Sequence, residues 1–205
     1  MIIELFGLPG SGKTYLAQNC FSDRQHAVVK CLGKFQQFFF ALMFGLRKPL
    51  FFCYLKILLL KENWCKPSLL WHKYMMLLLP ALAKEGKALF SKNSTAVIDQ
   101  GLLQLALSIY ERKIEEPDIK RILSFCAREN RKITIVEANK SVREKRMGDR
   151  GRRARGFLGE KYLAQWTPVL EYNYEVVKNA IIGSGMKYVL IENNRNNMLN
   201  CPQRT

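Results

Sequence analysis

Short apolar runs alternate along this chain with longer stretches of helical periodicity, and glycine or proline marks most of the boundaries. Ile2–Phe6 is an apolar run closed by Gly7 and predicts a buried strand, with a helix over 13–21 after it. A second short strand is expected at 27–31, with Lys30 at its end. Residues 35–90 are rich in Phe and Leu and read as helices interrupted at Arg47-Lys48-Pro49, at Lys66-Pro67 and at Pro80. Beyond them the pattern predicts a strand at 96–99, helices over 102–110 and from Pro117 to 130, and a strand at 132–137. A short helix at 141–147, a long one over 160–182 disturbed near Pro168, a last strand at 187–191 and an irregular Asn-rich tail complete the chain. Strands separated by helices argue for an α/β protein with a parallel sheet covered on both faces. No repeat and no linker interrupts the series, so a single domain over 1–205 is expected.

Composition narrows the class. The chain has 205 residues, 48% hydrophobic and 24% charged, which excludes a disordered polyelectrolyte. Its longest unbroken apolar run, 38–46, falls far short of the ~20 residues that cross a bilayer. Helices packed over a sheet are the expected use of 35–90, with peripheral membrane contact as the alternative. The N-terminus carries no signal-peptide pattern, and the six cysteines form no C-x-x-C pair, so reduced thiols and a cytoplasmic location are expected. With only two histidines, a His-based metal site or triad is set aside.

Charge is concentrated. The formal net charge is +16, and residues 140–161 hold nine Lys/Arg against three acidic residues. Such an excess attracts phosphate, whether on nucleotides, on nucleic acid or on a membrane surface. Its glycines read as a loop rather than a helix face.

The residues with the most chemical meaning are Gly7-Leu8-Pro9-Gly10-Ser11-Gly12-Lys13-Thr14, which fit G-x-x-x-x-G-K-[ST] at every fixed position. Gly7 and Gly12 admit backbone angles that let successive N–H groups surround an oxyanion. The helix beginning near Lys13 turns its positive end toward the same phosphates. Lys13 can reach the β- and γ-phosphates and the Thr14 hydroxyl can ligate Mg²⁺. Asp99, at the end of the 96–99 strand, can hold Mg²⁺ through water or take a proton from an acceptor hydroxyl; it can equally cap the following helix. Arg143, Arg146, Arg150, Arg152, Arg153 and Arg155 suit a lid over 143–160 that closes on phosphate oxygens, and Arg146 and Arg150 are the candidate catalytic arginines.

These motifs, with VIDQG, ITIVEA, SVREKRMGDRGRR and KYVLIEN in the same order, resemble the P-loop nucleoside and nucleotide kinases, most closely the thymidylate-kinase-like branch. The resemblance implies a three-layer fold with a five-stranded parallel sheet, a helical acceptor-site region in 35–90 and an Arg-rich lid. It implies ATP and Mg²⁺ as cofactors, with Gly7 and Pro9 through Thr14 around the donor phosphates and Asp99 serving magnesium. Arg143 and Arg146 match arginines that face the donor's base and phosphates. Two positions depart from the pattern: Gln100 stands where thymidylate-like members carry Arg, and Lys30 and Lys34 lie where deoxynucleoside kinases carry a Glu. Either lysine can bind an anionic acceptor or sit on the surface. Glu137 and Glu192, at strand ends, are read as caps or loop solvators beside the ligand edge. The aromatics at 38–40, 51, 52, 54, 64, 71 and 74 fit core packing or a pocket for a planar base.

The leading expectation is an ATP-dependent phosphotransferase acting on a nucleoside or nucleoside monophosphate, with a homodimer as the family's common state. A P-loop kinase of a sugar or lipid-linked acceptor is the second reading. A regulatory or nucleic-acid-associated NTPase is the third, because no helix-turn-helix or RNA-binding signature accompanies the basic residues.

Overall fold

A computed structural model describes residues 1–21, 26–30, 33–90, 95–151 and 155–194. Five strands, β1 (Ile2–Phe6), β2 (His26–Val28), β3 (Thr95–Ile98), β4 (Arg131–Glu137) and β5 (Tyr188–Glu192), form one sheet in the order β2-β3-β1-β4-β5. Every pairing is parallel, with Ile3 opposite Val97 on one side and Lys132 on the other. β1 is the central strand and is buried along its whole length, which is why it reads as a continuous run instead of an alternating one.

Successive β1 side chains point to opposite faces. Ile3 and Leu5 pack with Leu16 and Ala17 of α1 (Lys13–Cys20). Phe6 faces the larger core, built from α2 (Lys34–Arg47), α3 (Pro49–Asn63), α5 (Leu79–Phe90), α6 (Leu102–Ile109), α7 (Glu116–Arg128) and α9 (Glu160–Gly183). Helices therefore cover both faces, giving the three-layer α/β arrangement. α4 (Pro67–Lys73) leads into α5, and α8 (Lys140–Asp149) follows β4. Pro opens α3, α4 and α7, where its missing N–H costs no helical hydrogen bond.

Several boundaries differ from expectation. Pro80 does not break the helical region: a π-helical turn at Tyr74–Leu78 carries the chain from α4 into α5, with the Leu79 N–H bonded to the Tyr74 carbonyl. The wider turn accommodates a proline that would collide with a regular i−4 carbonyl. Likewise α9 runs through Pro168 without interruption. The short helix expected at 141–147 is present as α8, which runs on to Asp149 and carries Arg143 and Arg146, so the first half of the basic segment is helical rather than the loop its glycines suggested. Arg152 and Arg153 of the expected lid, the end of the expected 27–31 strand at Cys31, and the tail from 195 lie outside the described residues. Cys20 is disulfide-bonded, against the expectation of reduced thiols throughout, while Cys53, Cys65 and Cys126 are free. Spacing along a chain does not reveal which thiols folding brings together. Among the described residues no single helix is long and apolar enough to cross a membrane.

Candidate functional site

All strands run the same way, so the segments after β1, β3, β4 and β5 emerge at one sheet edge, where ligands bind in open α/β folds. The turn after β1 holds Gly7 to Gly12 and feeds directly into α1. Gly12 takes φ +96°, the left-handed region that disfavours a side chain, as the motif predicts. Gly7 is required for another reason than the one expected: its φ is not positive, but an added Cβ would lie 2.3 Å from the Val136 carbonyl oxygen of β4. The central loop is thus pressed against its neighbouring strand.

Lys13 folds back over this loop. Its Nζ donates to the carbonyls of Gly7 at 2.6 Å and Leu8 at 3.0 Å. Burial lowers its pKa to about 7, with Arg143 and Arg150 pushing the same way and Asp99 opposing them. Thr14 and Asp99, 85 positions apart in sequence, meet with Thr14 Oγ1 3.4 Å from Asp99 Oδ2. The other carboxylate oxygen accepts from Lys84 Nζ at 2.6 Å. A hydroxyl and a carboxylate are hard oxygen donors of the kind Mg²⁺ takes, with waters and substrate phosphates supplying the rest. Among the described residues no cluster of three or more His, Cys, Asp or Glu forms a self-sufficient cage. Shared binding with phosphate therefore fits the donor set better than an all-protein site.

Arg146 reaches from α8 to the loop, donating to the carbonyls of Gly10 and Ser11, each at 3.3 Å, and to Asn193 Oδ1 at 3.1 Å. Asn193, buried just beyond β5, donates from Nδ2 to the Ser11 carbonyl at 2.8 Å. Arg143 is held by the Ala138 carbonyl at 3.2 Å and by Glu171 of α9 at 3.2 Å, and its backbone lies against Gly10. Arg150, at the end of α8, is close enough for its charge to lower the pKa of both Lys13 and Arg146. The edge thus gathers Lys13, Thr14, Asp99, Arg143, Arg146 and Arg150 with Pro9 and Ser11 of the loop.

Hollows open from it. One, of about 260 Å³, lies between Pro9, Lys13, Lys84, Gln100, Gln104 and Arg155; another, about 450 Å³, lies between α8 and α9 beside Pro9 and Arg143. Arg155 is anchored in the wall of the first: it bonds Glu111 at 2.5 Å, the Tyr162 hydroxyl and the Ser108 carbonyl, and lies over the Trp166 ring at 4.1 Å. Glu111 also accepts from Lys73 at 2.5 Å and from Tyr162 at 2.7 Å.

Lys84, Glu111 and Asn193 are absent from the sequence reading. Asn193 had a signal, because it follows a strand end just as Asp99 does; Lys84 and Glu111 had none. Glu137 and Glu192 line a further hollow with Ser11 and Arg143, and the Glu137 carboxylate accepts from Tyr174 at 2.9 Å and Lys178 at 3.0 Å, tying β4 to α9. Lys34 bonds Gln37 and the Met75 carbonyl, and Phe38, Phe39, Trp64 and Trp71 are exposed instead of lining core or pocket.

No family model and no curated protein matches the chain. Solved structures do resemble it. Deoxyadenosine kinase from M. mycoides with products dCMP and a flexible dCDP bound superposes with a TM-score of 0.51 at 14% identity, over 93% of this chain and 90% of that one. The same enzyme with bound dCTP gives 0.49 at 14% identity over 94% and 90%, and with bound dATP 0.47 at 15% over 94% and 91%. At such identity the likeness speaks for architecture: this chain has the five-stranded parallel P-loop fold of that kinase.

Proposed function

We propose that the protein is a P-loop kinase that moves the γ-phosphoryl group of ATP to a small acceptor, a nucleoside or nucleoside monophosphate. The observation that carries this reading is the meeting of Thr14 and Asp99 at 3.4 Å beside Lys13, under the arginines of α8. Lys13 of α1, Lys84 of α5 and the arginines of α8 bring cations from three elements to the edge that holds Asp99, which suits a polyphosphate. The acceptor class draws support from the deoxyadenosine kinase whose fold the chain shares.

In this mechanism the loop N–H groups and the start of α1 cradle the donor phosphates. Their negative charge draws the Lys13 ammonium, weakened by burial, from the loop carbonyls and keeps it protonated. Thr14 and Asp99 would hold Mg²⁺, which neutralises charge on the phosphates when bound. Lys84 fixes the Asp99 rotamer through its 2.6 Å contact. Arg146 keeps the loop closed, while Arg143 and Arg150 add charge where the migrating group becomes most negative. The hollow beside Gln100, Gln104 and Arg155 offers amide and guanidinium donors to an acceptor. Incubation with γ-labelled ATP, Mg²⁺ and a pool of nucleosides and nucleoside monophosphates should place label on a pool member. Label remaining on ATP, or leaving only as free phosphate, would remove the nucleotide-kinase reading.

A further inference from the structure

The helices α2 and α3 leave apolar surface uncovered in a regular way. On α2, Ala41, Phe44 and Gly45 are buried, while Phe35, Phe38, Phe39, Leu42 and Leu46 are exposed at i, i+3, i+4, i+7 and i+11. On α3, Leu50, Cys53, Ile57, Leu60 and Trp64 form a second exposed stripe at three- and four-residue spacing. Leu50 is 88% exposed and Phe35 85%, values that an ordinary surface position does not explain when ten such residues fall on two stripes. The two helices join at Lys48, where the helix axis turns through 118°.

Basic residues outnumber acidic ones around this surface. From 34 to 73 the only acidic residue is Glu62, whose side chain is buried against Arg112 at 3.1 Å. At the corner, a hollow of about 480 Å³ is floored by the stacked rings of Phe51 and Phe125, 3.7 Å apart, and rimmed by Arg47, Lys48, Arg121 and Arg128. No carboxylate lines it. Lys48 is paired with Glu129 at 2.6 Å, but among the described residues no carboxylate pairs with Arg47, Arg121 or Arg128.

We infer that the α2–α3 corner docks on the surface of an anionic phospholipid bilayer, with both stripes in the interfacial layer and lipid phosphates at the cationic rim of the hollow. Helices of 14 and 15 residues, at 1.5 Å per residue, are about 21 and 22 Å long, too short for a ~30 Å hydrocarbon core but suited to lying along its boundary. The alternative occupant, a second copy of the chain, would bring like-charged rims of a +16 protein together, whereas a phosphate surface neutralises them. This inference stands apart from the kinase reading, since none of its residues belongs to the phosphate edge.

Co-sedimentation with phosphatidylcholine vesicles, with and without phosphatidylserine, tests it. Binding should require phosphatidylserine and weaken with added salt. Arg128→Gln should lower partitioning about fivefold, and Leu50→Asp at least about tenfold. Both positions are exposed, so thermal melting and phosphoryl transfer in solution should stay unchanged. Failure to sediment with either vesicle overturns the inference, as does undiminished binding by Leu50→Asp. A wild-type dimer that Leu50→Asp makes monomeric, without vesicle binding, assigns the surface to a second copy and also overturns it.

Discussion

Gly12 and Asn193 show how closely the glycine-rich loop is fitted to its surroundings. A Cβ on Gly12 would stand 2.2 Å from Asn193 Nδ2, at a backbone angle of +96°. Gly12→Ala should therefore displace Asn193, strain the loop by about 1–3 kcal/mol and abolish detectable nucleotide binding in a calorimetric titration. Asn193→Ala removes the donor to the Ser11 carbonyl and a partner of Arg146. It should lower stability by about 1–3 kcal/mol and weaken ATP binding while leaving the fold intact; a variant with wild-type affinity would show that Asn193 does not hold the loop. The motif itself was legible because its residue types stand at fixed spacing in one short stretch, although Gly7 turned out to be needed for its contact with β4. Asn193, Lys84 and Glu111 act through partners up to 182 positions away, and no local pattern encodes such a meeting.

Strands and helices were legible to within a few residues wherever an apolar period met a glycine or proline stop. The π turn before Pro80 and the unbroken α9 were not, because the outcome for an internal proline depends on how the neighbouring turn relaxes. Nor could a strand-internal charge be interpreted. Glu4 of β1 and Glu85 of α5 both bond Arg131 of β4, at 2.5 and 2.6 Å, in a fully buried triad, and Glu4 also accepts from the Leu103 N–H at 2.7 Å. The triad joins the sheet to α5 and to the start of α6, the two helices that flank Asp99. Burial, aided by Glu85, raises Glu4 from 4.5 to about 7, with Arg131 opposing. The folded chain holds this proton more tightly than the unfolded one, so the associated stability is complete below pH 4.5 and lost as pH rises through about 7. Glu85→Gln should flatten that decline. Urea midpoints on either side of the window check it, and an unchanged slope would show that Glu85 does not set the Glu4 proton.

At the scale of the whole molecule, the alternation of strands and helices pointed to a parallel α/β fold, but the order β2-β3-β1-β4-β5 comes from pairings that periodicity does not specify. That order puts β1 in the middle, so its loop receives Asp99 from β3 on one side, and Arg146 and Asn193 from the β4 and β5 side. The same fold leaves the apolar stripes of α2 and α3 outside, where composition alone suggested core. The proposed phosphate site and the proposed docking surface thus involve different residues of one chain. If the edge around Lys13 transfers a phosphoryl group as proposed, Lys13 itself is indispensable to the transfer. The direct measurement compares γ-labelled ATP turnover by the wild type and Lys13→Ala with the same acceptor pool, after melting curves establish that both are folded. Labelled acceptor should form with the wild type, and at least about a hundredfold less with the variant. Equal transfer by Lys13→Ala, or none by the folded wild type with any pool member, would contradict the proposal.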